Sequence, residues 1–335
     1  MKRAAVLGAG SWGTTLAVHL AGLGHDVRLW SNDPADLARL EAERENRKFL
    51  PGIKLPAGVK VQPELEAALR GAEVVLFVVP SQVVREVASR VAEASRASPG
   101  GGRALAVCAS KGLELATLKR MSEVVAEGLG DPDPVVLTGP SHAEEVSVGI
   151  PTSVVAASRD PARARAVQVL CSSPAFRVYT NDDVAGCEYG AALKNVVAIA
   201  AGVCDGLGFG DNTKAALLTR GLGEIARLGV ALGGRRETFF GLAGMGDLIA
   251  TAISRHSRNR GLGERLGRGE KLERILATMV MVAEGVPTAR AARDLGRKRS
   301  LDLPITEQVC AMLFEGLEPR TALTHLMTRE LKSEV

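Results

Sequence analysis

Lys194 stands inside the apolar stretch Glu188-Tyr-Gly-Ala-Ala-Leu-Lys-Asn-Val-Val-Ala-Ile-Ala-Ala-Gly202, which reads as a helix. Counting three and four residues either way along it places Gly190, Ala191, Val197 and Ala198 beside the lysine, and none can pair an ammonium. An unpaired, partly buried ammonium is costly, so either a partner arrives from elsewhere in the fold or the lysine's pKa falls. Both outcomes suit proton transfer, and the small neighbours leave room for a ligand. The plainer alternative is a side chain that snorkels to solvent.

Two further clusters share the second half of the chain. Gly241-Leu-Ala-Gly-Met-Gly-Asp247 sets a carboxylate after a glycine-rich bend, which would aim it inward; a helix cap is the plainer use. Ser254-Arg-His-Ser-Arg-Asn-Arg260 offers two hydroxyls, three guanidinium groups and an amide in seven residues, a set suited to phosphate oxygens.

Near the start, an apolar strand at residues 4–7 leads into Gly8-Ala-Gly10-Ser-Trp-Gly13 and then a helical run to about residue 22. This is a dinucleotide-binding fingerprint in its required strand–turn–helix context. Gly8 permits the tight turn, Gly10 lets a pyrophosphate approach the backbone, and Gly13 allows close helix packing. Amides at the helix start would hold the anion. A second strand, residues 26–30, ends at Ser31-Asn32-Asp33-Pro34, where NAD is ordinarily sorted from NADP. Asp33 could accept from a ribose hydroxyl but reads better as the cap of a helix opened by Pro34; no arginine stands at the strand end to meet a 2′-phosphate and no aspartate squarely there to exclude one, so the choice between NAD and NADP stays open.

Continuous apolar runs at 74–79, 105–109 and 135–137 have the character of parallel strands covered on both faces. Lys111 follows the second, on the side where open α/β sheets bind ligands, with a solvated loop lysine as the alternative. After the third comes Gly139-Pro-Ser141-His-Ala143-Glu144, where Ser141 and Glu144 have capping-box spacing and predict a helix start. Strands at 152–157 and 176–179 flank a helix near 161–170, and surface loops are expected at 98–102 and 131–134. From residue 184 the pattern is helix upon helix, with breaks at 206–210, 229–234, 267–269 and Pro304. The chain therefore divides into a dinucleotide-binding α/β domain, 1–183, and a helical domain, 184–335.

Composition narrows the function. In 335 residues, 46% apolar and 24% charged is ordinary for a globular chain. A net charge of +4 and 3% aromatic residues argue against a nucleic-acid partner. Five separated cysteines without a Cys-x-x-Cys pair favour a reducing compartment. The five histidines fall in no ligand spacing, so no metal is expected. Glycines interrupt the uncharged run before His25 too often for a membrane span, and the cytoplasm is the default location.

Together, Gly8-x-Gly10-Ser-x-Gly13, Ser110-Lys-Gly-Leu-Glu114, Gly139-Pro-Ser141, Ala192-Leu-Lys-Asn195, Gly244-x-Gly-Asp-Leu248 and Ser257-Arg-Asn-Arg260 resemble the bacterial NAD(P)-dependent glycerol-3-phosphate dehydrogenases. Asp205-Gly-Leu-Gly-Phe-Gly-Asp-Asn212 and Glu284-Gly-Val fit the same family, so the likeness spans nearly the whole chain. It implies a Rossmann-type domain followed by an all-α domain of the 6-phosphogluconate dehydrogenase C-terminal-like kind. It also implies reversible reduction of dihydroxyacetone phosphate to sn-glycerol 3-phosphate for phospholipid synthesis, by a homodimer. Carried onto this sequence, Lys194 becomes the general acid/base, with Asp247 beside it. Lys111, Gly139, Ser141, Lys194, Asp247, Ser257, Arg258 and Asn259 surround the substrate. Ser11, Trp12, Asn32, Lys111, Ala143, Arg258, Val282 and Glu284 fall to the cofactor, with Gly8, Gly10 and Gly13. The chain departs from common members at Asn32, where a basic residue is frequent, at Phe49, where tyrosine is, and at Ala252, where cysteine is. Two alternatives keep parts of this reading: a β-hydroxy-acid dehydrogenase with the same fold, and a redox sensor that binds dinucleotide without turnover.

Overall fold

The computed structural model describes residues 1–96, 104–131, 133–331 and 333; the loop expected at 98–102 and residue 132 of the one expected at 131–134 lie outside these. Eight strands build one sheet: β1 (Arg3–Leu7), β2 (Asp26–Trp30), β3 (Val59–Val61), β4 (Val74–Phe77), β5 (Leu105–Cys108), β6 (Val135–Thr138), β7 (Thr152–Ala157) and β8 (Phe176–Asn181). Their order is β3-β2-β1-β4-β5-β6-β7-β8, and all neighbours are parallel except β6 and β7. Leu7 is level with Trp30 on one side and Phe77 on the other, so the carboxyl ends of β1, β2 and β4 share one rim. Every residue of β4 and β6 is buried, as their uninterrupted apolar sequences require. The run expected at 74–79 leaves the sheet after Phe77: Val78 still donates to the Leu7 carbonyl at 2.8 Å, and Pro80 then precedes a 3₁₀ turn, Ser81–Val83.

Helices α1 (Ser11–Gly22), α2 (Pro34–Glu43), α3 (Leu65–Leu69), α4 (Val84–Arg96), α5 (Met121–Leu129), α6 (Ala143–Val146) and α7 (Pro161–Cys171) lie among the strands. Asp33 caps α2 as expected, accepting from the amides of Ala35 and Asp36. The capping box expected of Ser141 and Glu144 does not form. Helix α6 starts one residue later than that, with His142 at its cap, and the Ser141 hydroxyl turns back to donate to the Gly139 carbonyl at 3.0 Å. Gly139 adopts φ 128°, which bends the chain there and releases Ser141 from the helix.

No strand follows β8 among the described residues. Helices α8 (Val184–Gly206), α9 (Asp211–Ala231), α10 (Arg236–Phe239), α11 (Asp247–Ile253), α12 (Arg258–Gly267), α13 (Leu272–Thr278), α14 (Gly285–Lys298), α15 (Pro304–Phe314) and α16 (Pro319–Met327) complete the chain. The 23-residue α8 is long and apolar enough to cross a membrane, yet 94% of its most apolar window is buried inside the protein, so it serves as the core about which the other helices pack. Glycine permits that packing. A Cβ on Gly202 would lie 1.9 Å from the Arg260 carbonyl oxygen of α12, whereas one on Gly223 of α9 would meet nothing within 4 Å.

These two positions give opposite expectations for one chemical change. Gly202→Ala overpacks the α8–α12 contact and should cost about 2–3 kcal/mol, while Gly223→Ala should stabilise by roughly 0.5–1 kcal/mol through helix propensity. Thermal unfolding midpoints of the two variants, measured against the parent, check both signs.

Candidate active site

Asp247 joins two lysines from different halves of the chain. Lys194, midway along α8, donates from Nζ to Asp247 Oδ1 at 2.8 Å and also to Thr251 Oγ1. Lys111, in the loop after β5, donates to Asp247 Oδ2 at 2.7 Å and to the Gly139 carbonyl at 2.9 Å. The side chains of Lys194 and Asp247 are only 7% and 3% exposed and that of Lys111 is 20% exposed, so the cluster opens to solvent on the Lys111 side. Of the two outcomes open to an interior Lys194, the structure combines both. Burial pushes its pKa down to about 8 despite the attraction of Asp247, and the charge of Lys111 adds to the fall. Burial presses the Asp247 carboxyl upward, but Lys111 and Lys194 together outweigh it and hold the group below the usual carboxylate range.

The bend expected before Asp247 is a π-helical turn, Leu242–Gly246, that runs directly into α11. Asp247 is therefore not the cap; Gly246 precedes it in helical conformation, and the carboxylate is left for the lysines. Gly190 on α8 lets this turn approach, since a Cβ there would sit 2.8 Å from the Ala243 carbonyl oxygen. Thr251, one turn beyond Asp247, was not legible as a site residue, although its i+4 spacing is the available clue. His142 was missed as well. Its imidazole is within 3.3 Å of the Ala250 carbonyl, and burial, followed by repulsion from Lys194, lowers its pKa, which keeps it neutral at pH 7.

Around this centre the other sequence candidates fall into two groups. Gly8 has φ 119°, and a Cβ on Gly13 would lie 1.8 Å from the Gly8 carbonyl oxygen, so both glycines are obligatory for the turn. Gly10 faces open space, with no atom within 4 Å of a Cβ built there, and no side chain caps α1. The amides of Ser11 and Trp12 are thus presented to that space, and the cradle fits a dinucleotide pyrophosphate. Asn46, which the sequence did not flag, pins the turn by donating to the Ala9 carbonyl and the Thr14 hydroxyl. Thr15 of α1 donates to the Ala143 carbonyl at 3.2 Å, bringing Ala143 alongside. Asn32 lies just past the end of β2, where its Oδ1 accepts from Arg90.

The second group rims the cleft from the helical side. Ser257 caps α12, accepting from the Arg260 amide, and Arg258 lies exposed at the first turn, its Nη1 donating to the Val282 carbonyl at 2.9 Å. Asn259 is committed inward: its carboxamide donates to Asn195 Oδ1 and accepts from the Gly285 amide, both at 2.9 Å. Glu284 reaches across to the sheet half, accepting from the Ser81 amide at 3.0 Å and from its hydroxyl. Ser81 was also missed, yet it follows β4 at the carboxyl rim, where such sheets bind ligands. Among the described residues, no group of three His, Cys, Asp or Glu side chains could hold a metal ion.

Comparison with known proteins supplies the context. Family models described as the N-terminus and C-terminus of NAD-dependent glycerol-3-phosphate dehydrogenase match residues 3–164 and 183–324. The glycerol-3-phosphate dehydrogenase (NAD(P)+) of Pelodictyon phaeoclathratiforme is 50% identical over 333 residues, covering 98% of both chains. That of Geobacter sulfurreducens is 51% identical over 338 residues, covering 99% of both. The crystal structure of glycerol-3-phosphate dehydrogenase from Coxiella burnetii superposes with a TM-score of 0.93 at 38% identity, covering 98% of this chain and 99% of that one.

Replacing Asp247 by Asn leaves two ammonium groups facing a neutral amide and should cost roughly 3 kcal/mol of stability at pH 7. The deficit should shrink as pH rises through about 8, because Lys194 then loses its own proton and the parent gives up the same attraction. Urea unfolding of both proteins at pH 7 and pH 9 measures the difference.

Proposed function

This chain belongs to the NAD-dependent glycerol-3-phosphate dehydrogenase family, whose members interconvert dihydroxyacetone phosphate and sn-glycerol 3-phosphate with NAD(P) in supplying phospholipid synthesis, and from that we propose that Lys194 is its general acid/base. The observation that carries the proposal is the pairing of Lys194 and Lys111 with one buried carboxylate, Asp247. That arrangement supplies a proton donor near neutrality and a second ammonium beside it.

Arg258, at the exposed first turn of α12, takes the substrate phosphate together with backbone amides of Arg258 and Asn259 that follow the Ser257 cap. Asn259 positions that turn through Asn195 and Gly285 rather than through its own carboxamide touching phosphate. Gly139 and Ser141 line the opposite wall, and the Gly139 carbonyl holds Lys111 in place. Anchoring the phosphate fixes the ketone oxygen against Lys194 and Lys111. When bound, reduced nicotinamide supplies the hydride that adds to the carbonyl carbon. As the carbonyl π pair moves onto oxygen, Lys111 steadies the developing charge and Lys194 Nζ delivers the proton that completes the hydroxyl. In the oxidative direction neutral Lys194 takes that proton back.

Gly8, Gly10, Ser11, Trp12 and Gly13 hold the cofactor pyrophosphate, Asn32 its adenosine ribose, and Lys111, Ala143, Arg258, Val282 and Glu284 the nicotinamide half. The same reading divides the chain after residue 183, which the change from strand β8 to helix α8 supports. It also makes the protein a cytoplasmic homodimer; five buried cysteines, all free, support the reducing compartment.

Lys194→Met should lower kcat by about 10³-fold while leaving the circular dichroism spectrum and NADH binding intact. In the parent, kcat for ketone reduction should fall as pH rises through about 8, and kcat for alcohol oxidation should climb over the same interval, since the two directions need opposite protonation states of Lys194. Steady-state kinetics in both directions from pH 6 to pH 10 tests this. Arg258→Ala should raise the KM for dihydroxyacetone phosphate about tenfold or more, the loss of one charge-assisted phosphate contact.

A further inference from the structure

NAD and NADP differ only at the adenosine ribose, which in a parallel open sheet lies over the end of β2: a hydroxyl there asks for a carboxylate acceptor, a phosphate for a cation. The Gly8 amide donates to the Trp30 carbonyl at 2.7 Å, so the end of β2 adjoins the pyrophosphate cradle. Ser31 and Asp33 are engaged locally. Ser31 Oγ accepts from the Asp33 amide, and Asp33 Oδ1 is spent on the amides of Ala35 and Asp36. Asp36 is itself taken by Arg39 and Lys48. The Asp33 carboxylate at this end is thus anchored through one oxygen to the start of α2.

A cation does stand there, and it comes from a distant segment. Arg90, on α4, donates from Nη1 to Asn32 Oδ1, and its guanidinium lies 5.0 Å from the centroid of the Trp30 ring. Stacking on a buried indole orients the fork without neutralising it. Its hydrogen-bond partner is a neutral amide; the carboxylate near it is Glu86, one turn back at 3.9 Å, itself 58% exposed. With Oδ1 of Asn32 occupied, the Nδ2 hydrogens of that residue face away as further donors. The Arg90 side chain is 40% exposed, leaving its remaining N–H groups open to a ligand.

We propose that Arg90, with Asn32, forms a 2′-phosphate site and that the chain prefers NADPH to NADH. The site substitutes a residue of α4 for the basic residue absent at position 32. It rests on the dinucleotide reading of the 8–13 turn but not on the role of Lys194.

The test uses cofactor fragments that require no turnover. Isothermal titration of the full-length protein with adenosine 2′,5′-bisphosphate and with 5′-AMP should show the bisphosphate binding at least about tenfold tighter, the worth of one charge-assisted fork. Arg90→Gln should remove that margin with 5′-AMP affinity held within about twofold, and Arg90→Lys, which keeps the charge but loses the fork, should retain part of it. The KM for NADPH should rise in Arg90→Gln without a change in kcat. Equal affinities of the parent for the two fragments would overturn the proposal. So would an equal loss of both fragments in Arg90→Gln, which would make Arg90 a prop for Trp30. Binding of neither fragment would overturn the dinucleotide reading along with it, while loss of turnover alone touches only Lys194.

Discussion

One buried carboxylate balancing two ammonium groups is the constraint on which the structure turns. Asp247 is 53 residues from Lys194 and 136 from Lys111, and the three arrive on α11, on α8 and on a loop of the sheet half. Any one of these charges without the others would be left uncompensated in a low-dielectric setting, which is far costlier than the pair is favourable. The same contact therefore seats the helical half on the sheet half and lowers the pKa of Asp247 against the pull of burial. Lys194 has the greater burial and loses part of its basicity; Lys111 reaches the cluster from the solvent side.

Such a cluster requires backbones to approach more closely than ordinary side chains allow. Helix α8 meets this with glycine and alanine: Gly190 admits the turn before Asp247, and Gly202 and Gly206 admit α12. Each interior glycine costs a helix roughly 1 kcal/mol of propensity, offset here by packing that no larger residue permits. The consequence is that α11 brings the carboxylate, and α12 brings Arg258, close enough for both charges to act on Lys194.

Further contacts hold the cleft at a set width. Glu284 of the helical half receives two hydrogen bonds from Ser81 beyond β4. Glu188 of α8 receives the Ser122 amide and hydroxyl together with Arg120, all from the sheet half. Burial raises the Glu188 carboxyl above the usual carboxylate range even against the pull of Arg120 and Ser122, and its hydrogen bonds go to the interface. These contacts join the two halves directly.

Much of this was readable without coordinates, because it depends on local rules. The glycine turn after β1, the Asp33-Pro34 helix start, the buried parallel strands and the switch to helices after residue 183 are all set by residues close in sequence. Family likeness added the expectation that Lys194, Lys111 and Asp247 share a site. What sequence could not supply was which atoms meet. Spacing favoured a capping box at Ser141, but the positive φ of Gly139 turned that hydroxyl back onto the loop. No reading of residues 31–34 could foresee that Arg90 would cross from α4 to Asn32. Local patterns determine which segments become strands, turns and helices, since those choices rest on nearest neighbours and periodicity. Pairing of charges across 58 or 136 residues is decided only when packing fixes distances, because Coulomb and hydrogen-bond energies depend on separation in space and not along the chain.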